Sequence, residues 1–135
     1  MTNENNVKTI ETLYAAFVVG DMPTVLAGLD EKVVWNEAEG NMYADGNPYI
    51  GPQAVLNGVF ARIGGDYEYF NLVNIELHEM LNNKVLATLR YQAKLKNNGA
   101  TYDAQAGHLW TFKDGKAIAF QQYLDTKKVA DAEAK

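Results

Sequence analysis

Two turn signals constrain this chain more than any other feature. Asn98-Gly99 and Asp114-Gly115 each interrupt a run in which apolar and polar residues alternate, the strongest short-range cue for a β-hairpin. Together they specify a three-strand meander. With two-residue turns, His108 falls opposite Leu89 on one side and Gln121 on the other. Period two then fixes which residues share its face. The first strand contributes Val85, Ala87, Leu89, Tyr91 and Ala93, and the second Tyr102, Ala104, Ala106, Trp110 and Phe112. The third contributes Ala117, Ala119, Gln121, Tyr123 and Asp125. One imidazole, one amide and one carboxylate thus stand in a wall of small and aromatic residues, the make-up of a binding pocket.

Upstream the pattern is helical. Val7, Ile10, Leu13, Tyr14, Phe17 and Val18 recur at three- and four-residue spacing up to Gly20, which predicts an amphipathic helix ended by that glycine. Asp21 is placed to cap a short second helix with Pro23 in its first turn and Val25, Leu26 and Leu29 on its inner side. Lys32 to Glu37 turns β-like through Val33, Val34 and Trp35. Residues 38–51 read as a long loop, of a length that often covers a site. Pro52 opens a third helix with the stripe Val55, Leu56, Val59, Phe60 and Ile63, stopped by Gly64-Gly65. Val73, Ile75 and Leu77 begin the sheet. A three-residue connection, Asn82-Asn83-Lys84, sets Leu77 opposite Leu89 and keeps the apolar faces aligned. Leu109, Ile118, Phe120 and Leu124 fall on the other face, which points to an oligomer, most simply a two-fold dimer.

Composition removes several classes of function. The 135 residues suffice for one core and one domain, 1–135. With 17 acidic against 12 basic residues the net charge is −5, a poor surface for nucleic acid or an anionic membrane. There is no cysteine and there are only two histidines, His78 and His108, which predict opposite faces. Neither thiol chemistry nor a metal centre is expected. Met1 to Asn6 has no basic or apolar leader pattern, and no run approaches a membrane span, so a cytoplasmic protein is expected.

The order of three helices followed by a curved antiparallel or mixed β-sheet resembles the α+β cone of the nuclear transport factor 2-like superfamily. Within it the chain is similar to the ketosteroid isomerase and SnoaL-like polyketide cyclase branch. The residues that carry the resemblance are Tyr14 to Asp21, Val33 to Glu37, Tyr49-Ile50-Gly51-Pro52, His108 to Lys116 and Gln121 to Thr126. The resemblance implies a general base at the carboxylate sixteen residues beyond Asp21, which is Glu37. It implies a hydrogen-bond donor to an oxyanion at His108, where steroid isomerases keep a protonated acid. Their tyrosine falls on Leu13, with Tyr14 one position away on a different helical face. Asp125 matches an aspartate that many SnoaL-like sequences carry at the end of the last strand.

Glu37, His108 and Asp125 are therefore the candidate catalytic groups, and Tyr14, Trp35, Tyr43, Tyr91, Trp110, Gln121 and Tyr123 the candidate substrate contacts. Each has a structural alternative: Glu37 as a solvated carboxylate, His108 as a core histidine bonded to Gln121 or Tyr91, Asp125 as a helix cap. The ladder sets Asp125 roughly 13 Å along the strand from the residue opposite His108, so no His-Asp pair is assumed. A carboxylate in an apolar cavity is a strengthened base, and a neutral donor beside it stabilises an enolate. That suits cofactor-free proton abstraction next to a carbonyl, leading to isomerisation, cyclisation or dehydration of a small hydrophobic ligand. The alternatives are a protein that binds such a ligand without turnover and an oligomerisation module of the same fold.

Overall fold

The computed structural model describes residues 3–135; Met1 and Thr2, at the start of the N-terminal stretch read above, lie outside the described residues. Helix α1 (Asn3–Val18) ends where Gly20 takes φ +76° and the Asp21 amide donates back to Ala16 O at 2.8 Å, the left-handed stop that favours glycine. Asp21 then caps α2 (Met22–Ala27), its carboxylate accepting from the Thr24 amide and hydroxyl. Strand β1 (Leu29–Asn36) follows. The expected loop holds a 3₁₀ turn (Met42–Gly46) and a two-residue strand β2 (Tyr49–Ile50). Helices α3 (Pro52–Val55) and α4 (Ala61–Asp66) are joined through a one-turn π widening at Leu56–Phe60. Gly64-Gly65 does not stop this segment, which runs on to Asp66.

Strands β3 (Tyr67–Met80), β4 (Lys84–Leu95), β5 (Thr101–Lys113) and β6 (Lys116–Leu124) complete a six-stranded mixed sheet of order β2-β1-β6-β5-β4-β3, with only β1 and β6 parallel. Helix α5 (Thr126–Glu133) closes the chain. Among the described residues no helix is long and apolar enough to cross a membrane.

Three registers differ from the sequence reading, with unequal consequences. The β3–β4 connection has three residues, but they are Leu81 to Asn83, and Leu77 faces Ala87. The chain between β4 and β5 is a five-residue loop, so His108 pairs with Ala87 instead of Leu89. Both shifts are by two residues and keep the expected faces, except at Val73, which the irregularity between Val73 and Glu76 turns outward opposite Arg90. Asp114-Gly115 is the two-residue turn expected, both residues at positive φ. Just beyond it, however, Phe112 pairs with Ala117 and Thr111 with Ala119, so Ile118 is an extra residue, a β-bulge.

That one-residue slip turns β6 over. Phe120 and Gln122 face the core, while Gln121 and Tyr123 do not. The outward face expected for Phe120 and Leu124 is corrected for the same reason: Leu124 packs against buried Leu89, Tyr91 and Ala106. A second irregularity, between Val73 and Glu76, brings both Leu72 and Ile75 to the inner side of β3. Bulges bend and twist the strands that hold them, and here they curl the sheet around α1 and the 52–66 helices. The core within the curl contains Ile10, Leu13, Val33, Val55 and Trp110, with Trp35 stacked on Phe120 at a ring separation of 3.7 Å.

Candidate active site

The cone holds a cavity of about 70 Å³, counted as space that admits the centre of a water-sized sphere. One water needs roughly 10–15 Å³ by that measure, so the cavity has room for several waters or a ligand of about one ring. Apolar walls come from Leu13, Phe17, Phe60, Leu72 and Phe120. Two polar groups of different character stand among them.

The first is Glu37, one residue past β1 and 2% exposed. Period two puts it on the same face as Trp35, whose indole Nε1–H donates to Glu37 Oε2 at 2.9 Å. Its main chain is clamped by Asn47: the Glu37 amide donates to Asn47 Oδ1 at 2.9 Å, and Asn47 Nδ2 donates to Glu37 O at 2.8 Å. Asn41 Nδ2 lies 3.4 Å from Glu37 Oε1. Burial pushes the Glu37 carboxyl up to about 7, against the opposing pull of the Trp35 bond and the Arg62 charge. At neutral pH the group is poised between acid and base.

The second is a chain of hydrogen bonds across the cone. Trp110 Nε1–H donates to Tyr14 Oη at 3.0 Å. Tyr14 Oη lies 2.7 Å from His108 Nδ1, and His108 Nε2 is hydrogen-bonded to Tyr91 Oη. Gln122 Nε2 donates to Tyr91 Oη at 2.9 Å, while Gln122 Oε1 accepts from the Ala38 amide and from Asn41 Nδ2. Gln122 and Asn41 thereby connect this chain to the Glu37 side of the cavity. Burial lowers His108 to about 3 and raises both phenols above their ordinary value. The imidazole is neutral, and both of its nitrogens are occupied by tyrosines.

The structure brings Glu37, His108, Tyr14, Trp35, Tyr43, Tyr91 and Trp110 together around one cavity. Three residues named from sequence fall elsewhere. Asp125 caps α5, accepting from the Lys128 amide at 3.2 Å, and does not line the cavity. Gln121 and Tyr123 are turned away by the Ile118 bulge, Tyr123 to 56% exposure. Gln122, Phe120 and Asn41 line the cavity in addition. Gln122 is adjacent to the expected amide and was displaced from it only by the bulge. Asn41 sits in the 38–51 segment, whose length was the available signal. The tyrosine position of the steroid isomerases falls on Leu13; Leu13 and Tyr14 both line the cavity, because the sheet wraps around α1.

The rim is tied down. Arg62 forks onto Asp45 at 2.8 and 3.0 Å and lies 4.7 Å over the Tyr43 ring, and the Tyr43 hydroxyl donates to Asp66 at 2.7 Å. These contacts fix the 42–46 turn to α4. Among the described residues no group of three or more His, Asp or Glu side chains is arranged to hold a metal ion.

Helices packed into a curled mixed sheet with a deep apolar cavity define the cone of the nuclear transport factor 2-like superfamily. Within it, the chain belongs to the SnoaL-like domain family, whose model matches residues 10–120. A nuclear transport factor 2-like protein of Burkholderia thailandensis is similar in fold, with a TM-score of 0.86 and 24% identity over 93% of this chain and 95% of its own. TerC, crystallised with polyporic acid, gives 0.85 and 23% over 97% of this chain and 99% of its own. A candidate polyketide cyclase of Pseudomonas putida gives 0.78 and 22% over 98% of both chains. No curated protein matches the chain by sequence.

Proposed function

We propose that the cavity binds a small hydrophobic carbonyl compound and catalyses proton transfer next to its carbonyl, without a cofactor. The observation that carries this reading is Glu37, buried with its carboxyl held near neutrality in the same apolar cavity as two phenols joined through a neutral imidazole. Ionised Glu37 takes a proton from the carbon beside the carbonyl. The C–H electron pair moves to form the enolate, and the oxyanion is met by a phenolic O–H of Tyr14 or Tyr91. Return of the proton to another carbon isomerises the ligand; loss of hydroxide dehydrates it; attack of the enolate on a second carbonyl closes a ring. His108 serves this step through the tyrosines, since both its nitrogens are engaged. The similarity to a candidate polyketide cyclase and to TerC, crystallised with polyporic acid, supports a ligand of this kind.

A second reading, binding without turnover, is favoured by one feature: an imidazole with both nitrogens satisfied is also how a structural histidine is held. Exchange of deuterium into the α-position of one-ring ketones and enones, followed by proton NMR, separates the two. Binding accompanied by exchange supports catalysis; binding without exchange supports the second reading.

A further inference from the structure

The hydrogen atoms in the Tyr14–His108–Tyr91 chain can be counted. A neutral imidazole carries one N–H, and each phenol carries one O–H, so three hydrogens are available for two hydrogen bonds. One is always left over. If the proton is on Nδ1, His108 donates to Tyr14 and Tyr91 donates to Nε2. Tyr14 Oη then accepts from both Trp110 and His108, its lone pairs are full, and its own O–H is free. Among the described residues Tyr91 Oη accepts only from Gln122 and keeps one lone pair vacant. If the proton is on Nε2 the roles reverse: Tyr91 holds the free O–H, and Tyr14 the vacant lone pair.

In either state the two tyrosines, both on the cavity wall, present one donor and one acceptor at opposite ends of the imidazole. We propose that His108 is a positioning residue whose tautomer decides which tyrosine donates, and that the pair accepts a ligand carrying one carbonyl oxygen and one hydroxyl group. A hydroxy ketone, or the enol–ketone form of a 1,3-dicarbonyl, matches both ends at once. A plain ketone matches one end and leaves the acceptor unused. Reversing the direction costs no charge separation overall. One N–H bond is lost at Nδ1 and one is gained at Nε2 by exchange with solvent water, which takes up one proton and returns another; each phenol keeps one hydrogen, and both hydroxyls turn.

The inference rests on the reading that the cavity takes a carbonyl ligand, and the test separates the two. Nitrogen-15-labelled histidine in the whole chain gives a long-range proton–nitrogen spectrum with only two histidines, assigned by a His78→Gln variant. At pH 7 the expected His108 signature is neutral, with at most one proton shared between its nitrogens. Two fully protonated nitrogens would overturn the count without any ligand present. Titration with 3-hydroxyacetophenone, 3-methoxyacetophenone and acetophenone then reads the ligand class. The hydroxy ketone is expected to bind about tenfold more tightly than the other two, the ratio given by one additional net hydrogen bond, and to move the tautomer ratio. Equal affinities, or a tautomer ratio unmoved by bound hydroxy ketone, would overturn the proposal. Tyr14→Phe and Tyr91→Phe are each expected to reduce the hydroxy ketone to the affinity of acetophenone. If a variant fails to fold, the wild-type series alone decides. Failure of all three probes to bind contradicts the carbonyl-ligand reading and, with it, the ligand class inferred here.

Discussion

Trp35, on β1, and Glu37, one residue past its end, are two residues apart and face the same way, and the indole N–H of the first holds the carboxylate of the second at 2.9 Å. A donor to an ionised carboxylate favours the charged form and lowers its pKa. Trp35→Phe removes the donor and keeps an aromatic ring in the stack on Phe120. The midpoint of Glu37, about 7 in the intact protein, is expected to move upward, as read by carbon-13 titration of the carboxyl. A midpoint that stays or falls would mean that the indole does not govern this group.

Two buried groups bend the stability–pH curve in opposite directions. Glu37 rises from 4.5 to about 7 on folding, so between those values the folded state holds the extra proton and stability falls as pH rises. His108 drops from 6.5 to about 3, so between those values the unfolded state holds the extra proton and stability climbs with pH. Each slope is about 1.4 kcal/mol per pH unit. Between pH 4.5 and 6.5 they oppose, and these two groups leave the curve nearly flat. Glu37→Gln is expected to expose the rising limb and His108→Gln the falling one, in urea unfolding followed across pH. Parallel curves for the two variants would show that the groups are not buried as described.

Gly58 stands where the chain has no room for a methyl group. A Cβ there would lie 2.1 Å from the Tyr49 ring, whereas one at Gly64, one helix later, would meet nothing within 4 Å. Gly58→Ala is expected to lose about 1–3 kcal/mol through overpacking, despite the better helix propensity of alanine. Gly64→Ala is expected to gain up to about 1 kcal/mol from that propensity. Thermal unfolding of the pair checks the sign of each.

The contrast between legible and illegible parts of the site comes down to one residue in β6. Helix stripes, the Gly20 stop, the Asp21 cap and the inner faces of β4 and β5 follow from periodicity and turn chemistry. The two-residue difference in the β4–β5 register changes the cross-strand partners, that of His108 among them, and leaves the faces of both strands as expected. The Ile118 bulge moved the register by one and exchanged Gln121 for Gln122. Alternation could not reveal it, because Ala117, Ile118, Ala119 and Phe120 are all apolar and either register buries some of them. Asp125 carried a cap signal and a family signal at once, and the backbone of α5 uses the first. That Tyr14 reaches His108 depends on the curl of the sheet around α1, a long-range property that helical periodicity does not contain.

With the register corrected, the outer face presents Leu86, Leu109 and Ala119 beside Val34 and Tyr123. We propose that two copies pair through it. Sedimentation at micromolar concentration is expected to show a dimer, and Leu109→Glu a monomer that keeps the fold. A wild-type monomer throughout would dismiss the interface.

The measurement that bears most directly on the proposed chemistry is α-deuterium exchange into a bound one-ring ketone by the wild type and Glu37→Gln, with ligand affinity measured in parallel. The expected result is exchange by the wild type whose rate rises with pH through about 7, as Glu37 ionises. For Glu37→Gln the expectation is a loss of about 10²–10⁴-fold in rate with binding retained. A variant that binds the ketone and exchanges its α-hydrogen as fast as the wild type would contradict Glu37 as the base.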